Sequence, residues 1–227
     1  MSHPKYEYNG RIVPSVTTIL GVVDKNLVRW AYNLGKSGVV LEDYQKYVNN
    51  VGTLTHYFIE TYLKGSKADP EYVKTFGLEA LAEAKLCFGQ FYNWSQDHNI
   101  KPVATELRLT GENYGGTLDA LVMLDGSLTI LDWKTSKMIY PNYYAQLAAY
   151  HDLLVIDGKY GTPTDVGALL LPKEGGATQY QPISTASTKF AKAQEYFKAC
   201  LALYNAKYAL QNARDDPTPE PEQAGGQ

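Results

Sequence analysis

Residues 131–137 read LDWKTSK and follow the short apolar run SLTI. This pattern predicts a β-strand, in which successive side chains alternate between the two faces. Asp132 and Lys134 then share the face that Leu128 and Ile130 occupy. Charged groups on a buried face are costly unless they are paired or bind something. The strand therefore predicts either an ion pair or a binding site at its end.

The residues before this strand predict its partner in a hairpin. Asp125 and Gly126 separate two apolar runs and favour a two-residue turn. With that turn, Asp119 lies opposite Asp132, and their Cβ atoms are roughly 4.5–5.5 Å apart. Two carboxylates at that distance repel each other, and Lys134 lies beside them. On this ground Asp119→Asn is expected to raise the melting temperature of the metal-free protein.

This pair of carboxylates is compatible with three interpretations. In the first, Lys134 neutralises the acids in a purely structural network. In the second, the carboxylates serve a retaining glycosidase, whose two carboxyl groups lie about 5 Å apart. In the third, they bind a divalent metal such as magnesium or manganese, and the lysine orients water or stabilises phosphoryl charge.

Two further segments contain candidate site residues. His56 and Glu60 are four positions apart, on one face of the helix predicted over 52–65. Glu106 lies in the middle of a strand predicted over 102–110. The structural alternative for Glu106 is an exposed residue paired with Arg108. The glycosidase interpretation explains neither His56 nor Lys134.

The composition excludes several classes of protein. The chain has 227 residues and a net charge of −3, so it is not a strongly basic nucleic-acid coat, although 21 Lys and Arg residues are enough for a local basic channel. Two cysteines cannot ligate an iron–sulfur cluster or a four-cysteine zinc site. No apolar run approaches a membrane span, and no signal peptide is recognisable. We therefore expect an intracellular protein without a membrane partner.

The remaining patterns predict a single domain over 1–213 and a disordered, acidic, proline-rich tail over 214–227. A hairpin is predicted at Asn9-Gly10, and Ser15 is a candidate N-cap. Further helices are predicted over 26–36, 52–65, 70–97, 143–155 and 184–211, the last capped at Ser184, and strands over 102–110, 117–124, 127–134 and 165–172.

Four segments in order resemble the PD-(D/E)XK nuclease superfamily, in its RecB-like branch of standalone exonucleases of phage and mitochondrial type. They are GTLTHYFIE at 52–60, GGTLD at 115–119, LDWKT at 131–135 and YYAQLAAY at 143–150. The chain departs from the family pattern at Leu118, which stands where the family name has proline. The cysteine set that binds an iron–sulfur cluster in some relatives is also missing.

The resemblance implies a restriction-endonuclease-like α/β fold, with a mixed central β-sheet flanked by helices and a metal site at one sheet edge. It implies that His56, Asp119 and Asp132 ligate Mg²⁺ or Mn²⁺ together with the backbone carbonyl of Trp133. Asp119, Asp132 and Lys134 would be the catalytic residues, with Lys134 positioning the attacking water.

The resemblance also implies supporting or DNA-contacting residues around this centre. They are Ser15, Glu60, Glu106, Gln146 and Tyr150. Gln146 and Tyr150 share one helix face, for which packing against neighbouring helices is the structural alternative.

The function implied is a Mg²⁺- or Mn²⁺-dependent DNA exonuclease that favours single-stranded ends and acts in DNA repair or recombination. Two alternatives stay open: an endonuclease specific for flapped or branched DNA, and a catalytically silent DNA-binding module of the same fold. The expected partner is DNA, and the expected location is the cytoplasm, including that of a phage host.

Overall fold

A five-stranded mixed sheet forms the centre of the computed structural model, which describes residues 5–23 and 27–213. The tail predicted over 214–227 lies outside the described residues. The elements are, in chain order, β1 (Tyr6–Tyr8), β2 (Arg11–Val13), α1 (Val16–Leu20), α2 (Val28–Lys36), α3 (Leu41–Leu63), α4 (Pro70–Lys74), α5 (Leu78–Gln96), β3 (Ile100–Thr110), β4 (Gly115–Leu124), β5 (Ser127–Lys134), α6 (Pro141–Asp157), β6 (Asp165–Leu170), β7 (Gln179–Ser184) and α7 (Thr188–Asn212).

The strand order is β3-β4-β5-β6-β7, and β5 and β6 form the parallel pair of an otherwise antiparallel sheet. Helix α6 connects these two strands, as a parallel crossover requires. No helix among the described residues is both long and apolar enough to cross a bilayer.

The β4–β5 hairpin has the predicted register. Asp125 and Gly126 both have positive φ, at 49° and 94°, as in a type I′ turn. The paired residues run from Leu124 opposite Ser127 to Ala120 opposite Leu131. Asp119 and Asp132 are the next residues on the two strands, just beyond the last pair.

Helices cover both faces of the sheet. On one face, α3 and α5 pack on alternate residues of β4 and β5, including Leu131 and Trp133. On the other face, α1, α6 and α7 pack on a second set that includes Leu121 and Ile130. The expected α/β fold, a mixed sheet flanked by helices, is confirmed.

The structure corrects three local predictions and adds one strand. The helix expected over 52–65 is longer, because α3 begins at Leu41. The helix expected over 70–97 is two helices, α4 and α5, because Gly77 adopts a φ of 85° that a right-handed helix does not allow. The N-cap of α7 is Ser187, whose hydroxyl accepts from the N–H of Phe190 at 3.2 Å, whereas Ser184 ends β7. Strand β7 is an edge strand that the sequence analysis did not predict. The hairpin at Asn9-Gly10 is confirmed.

Candidate active site

Three side chains from three different elements converge beside the β4–β5 hairpin. His56 of α3, Glu106 of β3 and Asp119 of β4 each offer a ligand atom, and these atoms lie within 4.8 Å of one another. Carboxylates suit magnesium and manganese, and an imidazole is accepted by manganese and other transition metals. The donor set therefore fits a divalent cation.

His56 is tied directly to Asp119. Its Nδ1 atom lies 3.4 Å from Oδ1 of Asp119, and its ring packs edge-on against Trp133 with 5.9 Å between centroids. Burial lowers the pKa of His56, but the charge of the neighbouring Asp119 more than offsets this and raises the pKa above its ordinary value.

Asp119 is also held by the backbone of the neighbouring strand. Its Oδ2 atom accepts a hydrogen bond from the N–H of Trp133 at 3.0 Å. Burial raises the pKa of Asp119, but His56, Lys134 and the Trp133 N–H together lower it below its ordinary value. Asp119 is therefore a carboxylate near neutral pH.

Glu106 reaches the cluster through an unusual backbone conformation. Its φ is 47°, in the left-handed region that non-glycine residues rarely adopt. The residues on either side of it pair with Ala120 and Leu118 of β4, so Glu106 lies beside Asp119. Desolvation and then the charge of Asp119 raise the pKa of Glu106 to about 7. Arg108, the partner proposed in the structural alternative, instead lies over the ring of Tyr6.

Asp132 and Lys134 form a buried ion pair next to this cluster. The Nζ atom of Lys134 lies 2.8 Å from Oδ1 and 2.7 Å from Oδ2 of Asp132. Burial and the charge of Asp119 raise the pKa of Asp132 to about 6 although Lys134 opposes the rise. Burial lowers the pKa of Lys134, but Asp132 and Asp119 more than compensate and raise it.

Asp132 lies outside the three-residue cluster, although it was expected to be a ligand. Its Oδ2 is buried and has no hydrogen bond of good geometry, so a lone pair stays free for a cation. Its ligand role, and that of the Trp133 carbonyl, stay predictions.

Gln146 and Tyr150 form a hydrogen-bonded pair on α6. Nε2 of Gln146 donates to Oη of Tyr150 at 2.8 Å. Tyr150 is buried, and burial followed by the charge of Asp132 raises its pKa well above the ordinary value. A Cβ at Gly116 would lie 2.5 Å from the Tyr150 ring. Only glycine therefore leaves room for this tyrosine at the second position of the GGTLD segment. Tyr150 thus restrains the side chain of Gln146, and the predicted role of both residues in support or DNA contact stays a prediction.

Glu60 and Ser15 are bound to neighbours on their own helices. Glu60 pairs with Lys64 and lines a cleft of about 370 Å³ together with His56 and Glu106. Ser15 caps α1, because its hydroxyl accepts from the N–H of Thr18 at 3.0 Å. Their predicted support of catalysis or DNA binding stays a prediction.

Several residues of the site were not found from the sequence. A second cleft of about 530 Å³ joins His56 and Lys134 to aromatic and basic side chains, among them Tyr143 and Lys173. The Lys134 ammonium lies 5.1 Å from the centroid of the Tyr143 ring. Tyr143 begins the YYAQLAAY segment but was not singled out within it, and Lys173 lies outside all four segments. The abundance of tyrosine was the only other signal available.

A sequence profile of the PD-(D/E)XK nuclease superfamily matches residues 30–223. The chain belongs to this superfamily. The resemblance to the superfamily is thereby confirmed, and the protein is a nuclease by family. Its place in the RecB-like branch of standalone exonucleases stays a prediction. Three of the four family segments contribute His56, Asp119 and Lys134. The structure brings these side chains close together, as residues of one site must be.

Solved structures with related chain traces include two proteins described as exonucleases. A candidate exonuclease from Eubacterium rectale is 12% identical, with a TM-score of 0.43 and coverage of 74% of this chain and 76% of the other. An alkaline exonuclease from Laribacter hongkongensis is 14% identical, with a TM-score of 0.36 and coverage of 88% and 95%. No curated protein is significantly similar in sequence.

Proposed function

We propose that this protein is a DNA exonuclease that uses Mg²⁺ or Mn²⁺ to hydrolyse phosphodiester bonds, acting at single-stranded ends. The observation that carries the proposal is the convergence of His56, Glu106 and Asp119 next to the buried Asp132–Lys134 pair. Cation ligands and a fixed ammonium group, side by side, suit hydrolysis of a phosphodiester.

The protein's own groups have separable roles in this reaction. His56, Glu106 and Asp119 would hold the cation, with Asp132 as a further ligand. The cation, when bound, would offset charge on the phosphate oxygens and lower the pKa of an attacking water. The Trp133 N–H fixes the rotamer of Asp119.

Lys134 is the group that would contact the reacting atoms. Its pKa is raised, so it carries a positive charge at neutral pH and is a hydrogen-bond donor only. Asp132 and the face of Tyr143 hold its ammonium in place. It would orient the attacking water and stabilise charge on a phosphoryl oxygen, without further reorganisation.

The preference for ends and for single strands derives from the resemblance to standalone exonucleases. The direct test uses purified protein with labelled linear and covalently closed circular single-stranded DNA, in magnesium and in EDTA. We expect degradation of the linear strand in magnesium, survival of the circle, and no cleavage in EDTA. Asp119→Ala should abolish activity, and the matched control Glu195→Ala, on the exposed surface of α7, should not.

Each alternative has its own outcome in this test. Equal loss of circles and linear strands would establish an endonuclease. DNA binding without cleavage in magnesium or manganese would establish a silent binding module. Cleavage that persists in EDTA after metal has been stripped would refute the metal site.

We also propose that residues 1–213 form a single nuclease domain. The segment 214–227 lacks large apolar side chains and is acidic, so it should contribute neither packing nor phosphate binding. Deletion of 214–227 should leave specific activity unchanged in the linear-strand assay. A folded truncation with much lower activity would contradict this.

A further inference from the structure

A groove lined by aromatic side chains leads away from Lys134. The cleft of about 530 Å³ at the active site and a neighbouring apolar cleft of about 620 Å³ share three lining residues, Trp30, Tyr140 and Tyr143. Tyr44 lines the first of these clefts. We name the four side chains Trp30, Tyr44, Tyr140 and Tyr143 the aromatic groove. Because Lys134 lines the same cleft, the groove is continuous with the proposed reaction centre.

The aromatic groove is accessible to solvent. Trp30 is 39% exposed and Tyr140 is 47% exposed. Trp30 packs edge-on against Tyr44 with 5.9 Å between centroids, and Tyr140 packs edge-on against Tyr143 at 5.6 Å. Edge-on contacts leave a face of one ring in each pair free for another planar group. Large contiguous exposed apolar patches mark interaction sites and ligand-binding grooves.

A buried lysine lines the groove without an acidic partner. Lys173 is only 9% exposed, and its Nζ atom lies 5.1 Å from the ring centroid of Tyr44 and 5.9 Å from that of Tyr47. Among residues 5–23 and 27–213, no carboxylate forms an ion pair with it, and the adjacent Glu174 pairs with Lys137 instead. A buried charge is costly unless it binds an opposite charge. Lys173 therefore points to an anionic ligand.

We propose that the aromatic groove binds the unpaired nucleotides of a DNA strand, with bases stacked on Trp30 and Tyr140 and a phosphate bound by Lys173. This rests on the proposed nuclease function and names the part of the substrate that the groove holds. Base stacking on aromatic side chains next to cationic groups is how proteins bind single strands without reading their sequence. The bases of a duplex are already stacked on each other, so the groove selects unpaired strands.

The charges of the groove favour this ligand over an apolar protein segment. Lys134, Lys137 and Lys173 all line the active-site cleft. Lys134 pairs with Asp132 and Lys137 with Glu174, whereas Lys173 forms no ion pair with any residue that the structure describes. The whole chain has a net charge of −3, so no general attraction for DNA exists and affinity must arise locally. A groove with aromatic faces and fixed cations matches bases joined by phosphates.

Binding is measured by fluorescence anisotropy with labelled oligothymidine in EDTA, where the strand is not cleaved. Trp30→Ala and Tyr140→Ala should each weaken binding roughly tenfold or more. The matched control is Tyr32→Ala, because Tyr32 is on the same helix as Trp30, is 68% exposed and lines neither cleft. The control should bind like the parent.

Two further probes separate stacking from phosphate binding. An abasic strand of equal length should bind weakly to the parent and to both groove variants alike. A duplex of equal length should also bind weakly. Tight binding of either probe would overturn the assignment of the groove to unpaired bases.

Lys173 is tested through the salt dependence of binding. Lys173→Gln should reduce the slope of log affinity against log salt by about 0.7, the value for one phosphate on a single strand. Lys198→Gln, an exposed lysine on α7, is the matched control and should leave the slope unchanged. Lys173→Arg keeps the charge and should keep the slope, so it separates a lost phosphate contact from a damaged fold.

The binding and cleavage assays can show separately whether the aromatic groove proposal or the nuclease proposal is wrong. If the parent cleaves no DNA in metal but Trp30→Ala still loses strand binding relative to Tyr32→Ala, the proposed reaction fails and the groove stands. If the groove variants bind like the control, the groove is overturned whatever the cleavage assay shows.

Discussion

Oδ2 of Asp119 accepts a hydrogen bond from the backbone N–H of Trp133, 3.0 Å away. The paired residues of β4 and β5 end at Ala120 and Leu131. Beyond this pair, the Asp119 carboxylate accepts the hydrogen bond from β5 in place of a backbone carbonyl. A charged acceptor makes this bond stronger than a neutral ladder bond. Together with His56, the bond stabilises the negative charge of Asp119 in the folded protein.

This contact reverses the expectation for Asp119→Asn. Two opposed carboxylates alone predict a higher melting temperature, but the lowered pKa of Asp119 means that its charge favours folding. This stability is present above the unfolded carboxyl pKa and is lost as the pH falls through the folded one. We therefore expect Asp119→Asn to melt lower in EDTA at pH 7, by several degrees for a loss of about 1.5–3 kcal/mol. Thermal unfolding with Glu195→Gln as control checks this, and a variant that melts higher would show that repulsion dominates.

Added metal should raise the melting temperature of the parent more than that of Asp119→Asn. A ligand that binds only the folded state stabilises it by mass action, by about 2.7 kcal/mol at a hundred times its dissociation constant. Magnesium or manganese should therefore raise the melting temperature of the parent and have much less effect on Asp119→Asn. Equal shifts in both proteins would place the cation elsewhere.

Removal of Lys134 should destabilise the protein as well as inactivate it. Asp132 is buried, and Lys134→Met leaves it without its counter-charge. Breaking a buried pair in this way costs about 3–5 kcal/mol, part of which is avoided if the carboxyl protonates. The double variant Asp132→Asn, Lys134→Met should recover much of the stability and none of the activity. Urea unfolding measures both, and a double variant no more stable than the single one would argue against a mutual pair.

The contact between His98 and Asp125 predicts a pH-dependent contribution at the hairpin turn. His98 Nδ1 lies 2.7 Å from Oδ2 of Asp125, and the N–H of Asn99 donates to Oδ1 at 2.8 Å. These hydrogen bonds lower the pKa of Asp125. Its contribution is present above the unfolded pKa and is lost as the pH falls through the folded one.

Asp125→Asn should therefore melt lower than the parent at pH 7, and the difference should shrink as the pH falls from 7 to below the ordinary carboxyl pKa. Asparagine tolerates the left-handed backbone of this turn, so the substitution removes the charge without removing the turn. Thermal unfolding across this range is the measurement. A difference that stays constant with pH would assign the effect to shape rather than charge.

The hairpin and its paired acids could be predicted because the information is local. The Asp125-Gly126 turn sets the register, and the alternation of the strand places Asp132 with Lys134. Strand β7 escaped prediction because it contains Pro182 and few apolar residues, which an edge strand tolerates. Gly77 escaped because a single glycine within a helical pattern does not by itself reveal its φ.

The rest of the site depends on contacts between residues distant in sequence. Glu106 joins the cluster only because its own backbone is left-handed beside β4, and no local pattern indicates that conformation. The packed fold brings Lys173, in the turn after β6, together with Tyr44 of α3. Such convergence becomes visible only in three dimensions.

Glu106 was predicted to be a supporting residue, and the structure makes it a candidate metal ligand. Two substitutions can distinguish the contribution of its carboxylate from that of its left-handed backbone. Glu106→Gln and Glu106→Asn both remove the charge, so both should weaken manganese binding by about tenfold or more in a calorimetric titration. Asparagine adopts a left-handed backbone more readily than glutamine, and strain at such a position costs about 1–3 kcal/mol. Glu106→Asn should therefore melt above Glu106→Gln, by roughly 2–4 °C for each 1 kcal/mol relieved. Manganese binding as tight as that of the parent would remove Glu106 from the ligand set, whereas equal melting temperatures would show that its backbone is not strained. The two results are independent, because one reports the carboxylate and the other the backbone that carries it to Asp119.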